Sequence, residues 1–369
     1  MNAIPVRVGV QQRVLPSYRV PFFDALAREC PQGLSVFAGE ARADEMVDSG
    51  AVLVDAHYFP ARNFNLLRGS LYSCLQINIL DWLQQWQPQV LVMEANPRYP
   101  FSSAAMGWMR RHGGKIIGWG LGSPQPAGVL SAWRLAGRRN FIDKFDALIT
   151  YSLSGAREYA ALGFDPQRIF TAPNAVAPKP TMAFKPRALK FNQGKATLLF
   201  VGRLQVRKKA DLLIRACALL PVEQQPFLWI VGDGPMRREL EGLATNIYPQ
   251  TRFYGAQHGK ELDLLLQSAD LFVLPGTGGL AVQQAMSFGL PVIVGQADGT
   301  QSDLVRAENG WLFADNRPET LSRLIQQALG DVPHLRQMGA ASYQIVSQEV
   351  NLENMVAAFS RAIASVLEG

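Results

Sequence analysis

Basic side chains follow one apolar run in the second half of the chain. The segment Gly202-Arg-Leu-Gln-Val-Arg-Lys-Lys209 comes directly after Leu198–Val201, which is typical of a buried strand. Arg203 and Lys208 are therefore expected at the carboxyl end of a strand, where ligands of α/β proteins bind. Because guanidinium and ammonium groups pair with phosphate oxygens, the pattern indicates binding of a phosphate-bearing ligand. A solvated basic loop is the simpler alternative.

A glycine-rich turn follows a second apolar run, Leu271–Leu274, and precedes a predicted helix, Leu280–Phe288. Backbone N–H groups at a helix start have no partner within the helix and bind anions. Gly278 and Gly279 lack side chains that would hold a phosphate away from the backbone. We expect their N–H groups, together with that of Leu280, to bind the distal phosphate. For the glycines alone, an ordinary strand-to-helix turn would be the simpler interpretation.

The elements that position these residues belong to two α/β units. Apolar runs alternate with helical patterns, which predicts parallel sheets with helices on both faces. The predicted strands are Val6–Val10, Leu34–Phe37, Val90–Met93, Lys115–Trp119, Ala147–Thr150, Arg168–Thr171, Leu198–Val201, Leu228–Val231, Thr251–Tyr254, Leu271–Leu274 and Val292–Val294. The predicted helices include Pro21–Glu29, Leu71–Gln85, Ser102–Arg111, Ser154–Leu162, Asp211–Leu220 and Glu319–Ala328. A proline-rich stretch without periodicity separates the two units. We predict a first domain over 1–172, a linker over 173–194, a second domain over 195–350 and a terminal helix within 351–369.

The composition agrees with this organisation. The chain has 369 residues, 48% of them hydrophobic and 18% charged, which suits two globular domains. Its net charge of +6 fits an anionic small molecule, an anionic membrane surface or a nucleic acid. Nucleic acid is disfavoured, because no zinc-finger or RRM-type pattern accompanies the charge.

The remaining sequence signals concern location and metals. Neither a long apolar run nor a signal-peptide pattern is present, so we expect a cytoplasmic protein. The three cysteines are far apart and fit reduced core thiols. The four histidines have no metal-ligand spacing and no DxD triplet occurs, so no metal is predicted.

Several motifs together resemble glycosyltransferase family 4. They are the basic segment 202–209, Leu228-Trp-Ile-Val-Gly-Asp-Gly-Pro235, the glycine turn, Gly295-Gln-Ala-Asp-Gly-Thr-Gln-Ser-Asp303 and Glu308-Asn-Gly-Trp-Leu-Phe313. The resemblance is strong over roughly Lys195–Leu329 and looser in the first half. It implies a GT-B fold, with two Rossmann-like domains facing each other across a cleft and the terminal helix crossing back to the first domain. It also implies transfer of a sugar, with retention, from a UDP- or GDP-linked donor to a saccharide or lipid-linked acceptor. The implied setting is bacterial surface polysaccharide or lipopolysaccharide synthesis, with no separate cofactor.

The resemblance implies that Arg203 and Lys208 stabilise the leaving diphosphate as catalytic groups. It also assigns further roles and exposes departures. Gly232 and Gly234, with Tyr254, would shape the nucleotide pocket. The two glutamates usual in the family fall at Gly276 and Gln284, so only the ribose contact, through the Gln284 amide, has a replacement. Leu121 stands where relatives often carry a histidine, and Lys209 where they carry glycine. The competing hypothesis is therefore a non-catalytic sugar-nucleotide-binding or partner subunit. A dehydrogenase is disfavoured, because Gly232-Asp-Gly234 lacks the third glycine of that fingerprint.

The first domain supplies candidates for the acceptor side. Glu94, Asn96 and Arg98 follow the predicted strand Val90–Met93, and we take Glu94 as a candidate catalytic group. In relatives the loop after the first strand helps to bind the acceptor, which makes Arg13, Tyr18 and Arg19 candidates. A surface loop, with Arg19 solvated, is the alternative.

A basic segment with aromatic residues, Val129–Lys144, could contact anionic lipid at the inner face of the membrane. An ordinary surface helix is the commoner outcome for such a pattern.

Overall fold

The computed structural model describes residues 3–42, 45, 52–67, 72–123, 131–181, 184–296 and 301–368. These residues form two compact units. The N-terminal unit contains Met1–Val176 and Leu352–Gly369, and the C-terminal unit contains Ala177–Asn351. Within the described ranges, no helix combines the length and the apolarity needed to cross a bilayer.

The strands, numbered in chain order, are β1 Val8–Val14, β2 Leu34–Gly39, β3 His57–Pro60, β4 Asn63–Leu66, β5 Ser73–Gln76, β6 Val90–Glu94, β7 Lys115–Gly120, β8 Ala147–Thr150, β9 Ile169–Thr171, β10 Thr197–Val201, β11 Phe227–Val231, β12 Thr251–Gly255, β13 Leu271–Leu274, β14 Val292–Gly295 and β15 Gly310–Phe313. The helices are α1 Val20–Arg28, α2 Ile79–Trp86, α3 Phe101–Arg111, α4 Ser131–Ile142, α5 Leu153–Ala161, α6 Ala210–Ala218, α7 Arg237–Ile247, α8 Gly259–Ser268, α9 Leu280–Ser287, α10 Gln301–Leu304, α11 Pro318–Gly330, α12 Val332–Gln348 and α13 Leu352–Glu368.

The N-terminal unit is built on a parallel sheet with strand order β3-β2-β1-β6-β7-β8-β9. Strand β1 lies centrally, with Val8 opposite Leu34 of β2 and Val90 of β6. The strands read as near-continuous apolar runs because helices cover both faces of such a sheet. On one face Trp119 packs against Phe22 of α1, with ring centroids 5.8 Å apart, and against Phe359 of α13, at 4.8 Å. The terminal helix thus completes the core of this unit.

The C-terminal unit has a six-stranded parallel sheet in the order β12-β11-β10-β13-β14-β15. Strand β10 pairs with β11 and β13, and the side chains of β13 and β14 are fully enclosed in the core. Strands β11 and β12 lie on one side of β10, and strands β13, β14 and β15 lie on the other. The strand order therefore switches direction at β10. Ligands of open α/β sheets bind at the carboxyl ends of the strands next to such a switch.

Residues 184–194, assigned above to a linker, belong to the C-terminal unit in the structure. The partly buried guanidinium of Arg187 donates hydrogen bonds to the carbonyls of Leu266 and Gln267, both at 2.8 Å, and to that of Phe288 at 3.1 Å. These bonds satisfy carbonyls near the ends of two helices. The segment is therefore part of the folded unit.

Some elements differ from the sequence prediction. The helix predicted over Leu71–Gln85 begins at Ile79, because Ser73–Gln76 forms strand β5, antiparallel to β4. Leu71 itself lies outside the described residues. The first strand runs on to Val14, although Gln11 and Gln12 are polar, because both are buried in a side-chain network. Gln11 donates to the Gln76 amide oxygen at 2.5 Å, and Gln76 donates to the Gln12 carbonyl at 3.1 Å.

Candidate functional site

The loop after β10 is fixed by backbone contacts to the turn after β11. The N–H of Gly202 donates to the Val231 carbonyl at 3.0 Å, and the N–H of Leu204 donates to the Asp233 carbonyl at 2.9 Å. Leu204 is fully buried and anchors the loop in the core. The next residues are thereby held at the carboxyl end of the sheet, where half-buried Arg203 begins the basic segment.

Gly232 and Gly234 allow this close approach. A Cβ at Gly232 would collide with the Gly202 carbonyl, and one at Gly234 with the Leu204 carbonyl. Two hydrogen bonds, from the Gly234 N–H and from the Arg237 side chain, together lower the pKa of Asp233. Because the Arg237 ion pair, at 2.7 Å, offsets that carboxylate, it adds little net negative charge to the site.

The glycine turn packs directly against the end of the basic segment. The Lys208 ammonium donates to the Thr277 carbonyl at 2.5 Å, and the Thr277 N–H donates to the Arg207 carbonyl at 3.1 Å. A Cβ on Gly276 would lie 2.5 Å from Lys208 Cα and would collide with the Arg207 carbonyl. Backbone therefore fills the space that a side chain at position 276 would need, so glycine is the residue that fits.

Lys208 and Lys209 have different surroundings. Lys209 adopts the left-handed conformation, with φ of 52°, and its ammonium donates to the Asn316 side chain. Glycine adopts this conformation more readily than residues with a side chain do. The Lys208 ammonium instead lies against Gly278, where a Cβ would collide with it.

Helix α9 begins beside this ammonium. Gly279 is its N-cap residue and Leu280 its first residue, so their N–H groups lie at the positive end of the helix. The Gln283 amide is fully buried and donates to the Val350 carbonyl at 2.8 Å, whereas the neighbouring Gln284 is partly exposed. Gln284 lies one turn along α9 from the glycine turn.

Tyr254 contributes to the packing of the sheet. Its ring lies 5.5 Å from that of Trp229, centroid to centroid, and the Arg252 guanidinium covers it at 4.8 Å. The backbone after it contacts the turn that follows β11, since the Gly255 carbonyl accepts from the Gly232 N–H at 2.7 Å.

The N-terminal unit contains a cavity of about 680 Å³ near the carboxyl ends of β1, β6 and β7. Every acceptor-side candidate lines it, together with the exposed Leu121. These candidates are Arg13, Tyr18, Arg19, Glu94, Asn96 and Arg98. The structure thus brings together residues from two separate strand ends.

Glu94 is held by hydrogen bonds at this cavity. Its carboxylate accepts from the Arg13 N–H at 2.6 Å and from the Tyr99 hydroxyl. Burial raises the pKa of Glu94, against the opposing effect of these bonds and of the Arg13 and Arg19 charges. The Arg13 guanidinium is itself engaged, in an ion pair with Glu45 at 2.9 Å.

Arg19 is buried, with 4% of its surface exposed, so the alternative of a solvated residue ahead of α1 is wrong. Its guanidinium lies 4.8 Å from the Trp119 ring and 5.2 Å from the Tyr151 ring, and it donates to the Tyr151 hydroxyl at 3.2 Å. Neither aromatic residue was predicted to line a cavity. The sequence did contain a signal for them, because Trp119 lies near the end of β7 and Tyr151 directly follows β8, at the strand ends where ligands bind.

The second basic segment, 129–144, contains helix α4, which is largely exposed. Trp133 has 77% of its surface exposed, and Arg138 lines the cavity. Residues 129–130 of the segment lie outside the described residues, as do residues 297–300 of the motif that follows β14.

Comparisons with known proteins match parts of this sequence to glycosyltransferases. Residues 182–345 match the sequence model of a family described as glycosyl transferases group 1. The chain is 30% identical, over 151 residues, to the uncharacterized glycosyltransferase MJ1607 of Methanocaldococcus jannaschii; the match covers 39% of this chain and 38% of that protein. It is 26% identical, over 236 residues, to the putative colanic acid biosynthesis glycosyltransferase WcaL of Salmonella typhimurium, covering 60% of this chain and 56% of that protein. The matched part thus spans from about two fifths to somewhat over half of these relatives.

A solved structure resembles the chain over nearly its whole length. The Anabaena protein Alr3699/HepE, crystallised with UDP-glucose, superposes with a TM-score of 0.66 at 14% identity, covering 98% of this chain and all of that one. The chain has the GT-B fold. The expectation of two Rossmann-like α/β domains is thereby confirmed.

Proposed function

We propose that this chain is a glycosyltransferase that moves a sugar from a nucleotide-sugar donor to a saccharide or lipid-linked acceptor, with retention of configuration. The observation that carries the proposal is the contact between the basic segment and the glycine turn. Through this contact the Lys208 ammonium lies beside Gly278, next to the N-terminal end of α9. A fixed cation and backbone N–H groups are the donors that a departing nucleoside diphosphate requires.

In this proposal Arg203 and Lys208 neutralise the charge that develops on the diphosphate. The N–H groups of Gly278, Gly279 and Leu280 bind its distal phosphate. The Gln284 amide contacts the ribose hydroxyls. Because a retaining transfer without a protein nucleophile depends on leaving-group stabilisation and positioning, these contacts supply the main catalytic effect.

The acceptor is proposed to bind in the cavity of the N-terminal unit. Glu94 is the catalytic candidate there, because its carboxylate is fixed by two donors and can orient an acceptor hydroxyl. Asn96, Arg98 and Tyr18 would complete the binding surface.

The relatives support the donor class and the setting. HepE was crystallised with UDP-glucose, which supports a nucleotide-sugar donor, and the name of WcaL supports a role in bacterial surface polysaccharide synthesis. Contact of the exposed helix α4 with anionic lipid at the inner face of the membrane is part of this proposal. Its basic residues and exposed Trp133 are the support.

A sugar-nucleotide-binding subunit without turnover is the second candidate. The observation favouring it is Gly276, where the packed Arg207–Lys208 backbone leaves no room for a carboxylate. Incubating the purified chain with UDP- and GDP-sugars and a panel of saccharide acceptors separates the two candidates. A glycosyltransferase releases nucleotide in proportion to the acceptor it glycosylates, whereas binding of donor without transfer across the panel contradicts the proposal.

A further inference from the structure

The cavity of the N-terminal unit holds a buried cation, Arg19, whose charge also acts on Glu94 in the same lining. Among the described residues, no Asp or Glu oxygen forms an ion pair with Arg19, although only 4% of the surface of this residue is exposed. Its contacts are the Tyr151 hydroxyl, the Met355 sulfur at 3.9 Å and the faces of aromatic rings. Buried charges in proteins are normally paired, because an unpaired one loses its hydration.

Two further donors accompany this guanidinium. The Tyr151 hydroxyl accepts from Arg19, which leaves its own proton available to another acceptor, and burial raises the pKa of Tyr151 so that the proton is retained. Trp119 also lines the cavity, and in the described part of the chain its buried indole N–H has no hydrogen-bond partner. Buried donors of this kind are usually satisfied by a ligand, by water or by protein acceptors.

The electrostatic balance of the lining is positive. The charge of Arg13 is offset by Glu45, and Glu94, the one carboxylate among the described lining residues, already accepts two hydrogen bonds. Arg98 adds a further guanidinium group, whereas the charge of Arg138 is partly offset by Glu158. Arg19 also immediately precedes α1, whose N-terminal end is itself positive, so the helix dipole gives this cation no stabilisation.

We propose that this cavity binds an anionic sugar, with a phosphate or carboxylate group of the acceptor contacting the Arg19 guanidinium and the Tyr151 hydroxyl. The inference rests on the proposed function, since it specifies the acceptor class of that activity. The exposed ring of Tyr18 at the lining offers an apolar surface on which the sugar ring can stack. Arg98 contacts the same anionic group from the exposed side of the cavity.

Titration calorimetry with three probes that share a hexose ring tests the proposal: glucose 6-phosphate, glucuronate and glucose. UDP is kept at saturation, so that phosphate does not occupy the C-terminal site. We expect at least one anionic probe to bind about tenfold or more tightly than glucose, a difference of about 1.4 kcal/mol. The phosphate and carboxylate arms identify which anion is preferred. Equal affinity for glucose, or no anionic binding at about 10 mM, overturns the proposal.

The variants separate recognition from packing. Arg19→Met keeps the length and apolar volume but removes the charge, and it should abolish the preference for the anionic probe. Arg98→Gln, at an exposed position, should weaken binding of the anionic probe about threefold more than binding of glucose. Arg111→Gln, an exposed arginine at the far end of α3 and outside the lining, is the matched control. An Arg19→Met protein that binds all probes as the wild type does, or loses all of them equally, contradicts the proposal.

Two measurements keep the test decisive. If Arg19→Met does not fold, the salt dependence of the wild type replaces it, since only anionic binding should weaken between low and high NaCl concentrations. Salt-independent anionic binding then overturns the proposal. UDP binding by the same samples separates the two ideas, because UDP binding without anionic-sugar binding refutes only the inference, and loss of UDP binding refutes the proposed function.

Discussion

Replacing Lys208 by alanine tests the diphosphate site most selectively. The half-buried ammonium is held by the Thr277 carbonyl beside Gly278, so it is positioned before any ligand binds. A hydrogen bond to a charged group contributes about 1.5–3 kcal/mol. Its loss should therefore raise the dissociation constant of UDP about 10- to 150-fold. Uridine lacks the diphosphate, so its binding should change little.

The neighbouring lysine provides the matched control. Lys209→Gly removes the same formal charge one residue away, from an ammonium that donates to Asn316. Glycine also suits the left-handed backbone at this position. We expect calorimetry to give a UDP dissociation constant within about threefold of the wild type for Lys209→Gly. Equal weakening of UDP by both variants, or equal loss of UDP and uridine in Lys208→Ala, would refute the reasoning.

Three other substitutions probe the same account. Gly276→Ala should lower the free energy of unfolding by about 1–3 kcal/mol, because its Cβ would collide with the Arg207 carbonyl; an unchanged urea midpoint would contradict this. Gln284→Ala should weaken donor binding by about 0.5–1.5 kcal/mol, the value of one net hydrogen bond, and an unchanged calorimetric constant would exclude a ribose contact. Since burial raises the pKa of Glu94 above 4.5, the folded protein binds that proton more tightly than the unfolded chain. The stabilisation of the folded state by this proton is complete below pH 4.5 and is lost as the pH rises through the raised pKa. Glutamine is neutral at every pH, so the Tm of Glu94→Gln should increase relative to that of the wild type from acid to neutral pH. A pH-independent difference in Tm would be inconsistent with this shift.

The sheets were accessible from sequence because their central strands are buried on both faces. Runs such as Leu271–Leu274 can be recognised as strands because they are short, continuously apolar and followed directly by a turn residue, here Pro275. Strands β3 and β5 were missed because they are short and include exposed or polar side chains. Helix α12, Val332–Gln348, was missed as well, although it begins after an Asp331 cap that accepts from the His334 N–H at 3.0 Å.

The candidate site was predictable to the level of which strand ends carry polar residues. Motif order indicated that the basic segment and the glycine turn lie at strand ends, but their contact through Lys208 and Thr277 depends on the packed backbone. The burial of Arg19 depends on Trp119 and Tyr151, about a hundred or more positions later in the chain. No local pattern around Arg19 contains that information.

A crystal structure of the chain with UDP tests the central claim most directly. The account predicts diphosphate oxygens within hydrogen-bonding distance of the Lys208 ammonium and of the N–H groups at the start of α9. A nucleotide bound elsewhere, or one whose phosphates point away from Lys208 and the glycine turn, would contradict it.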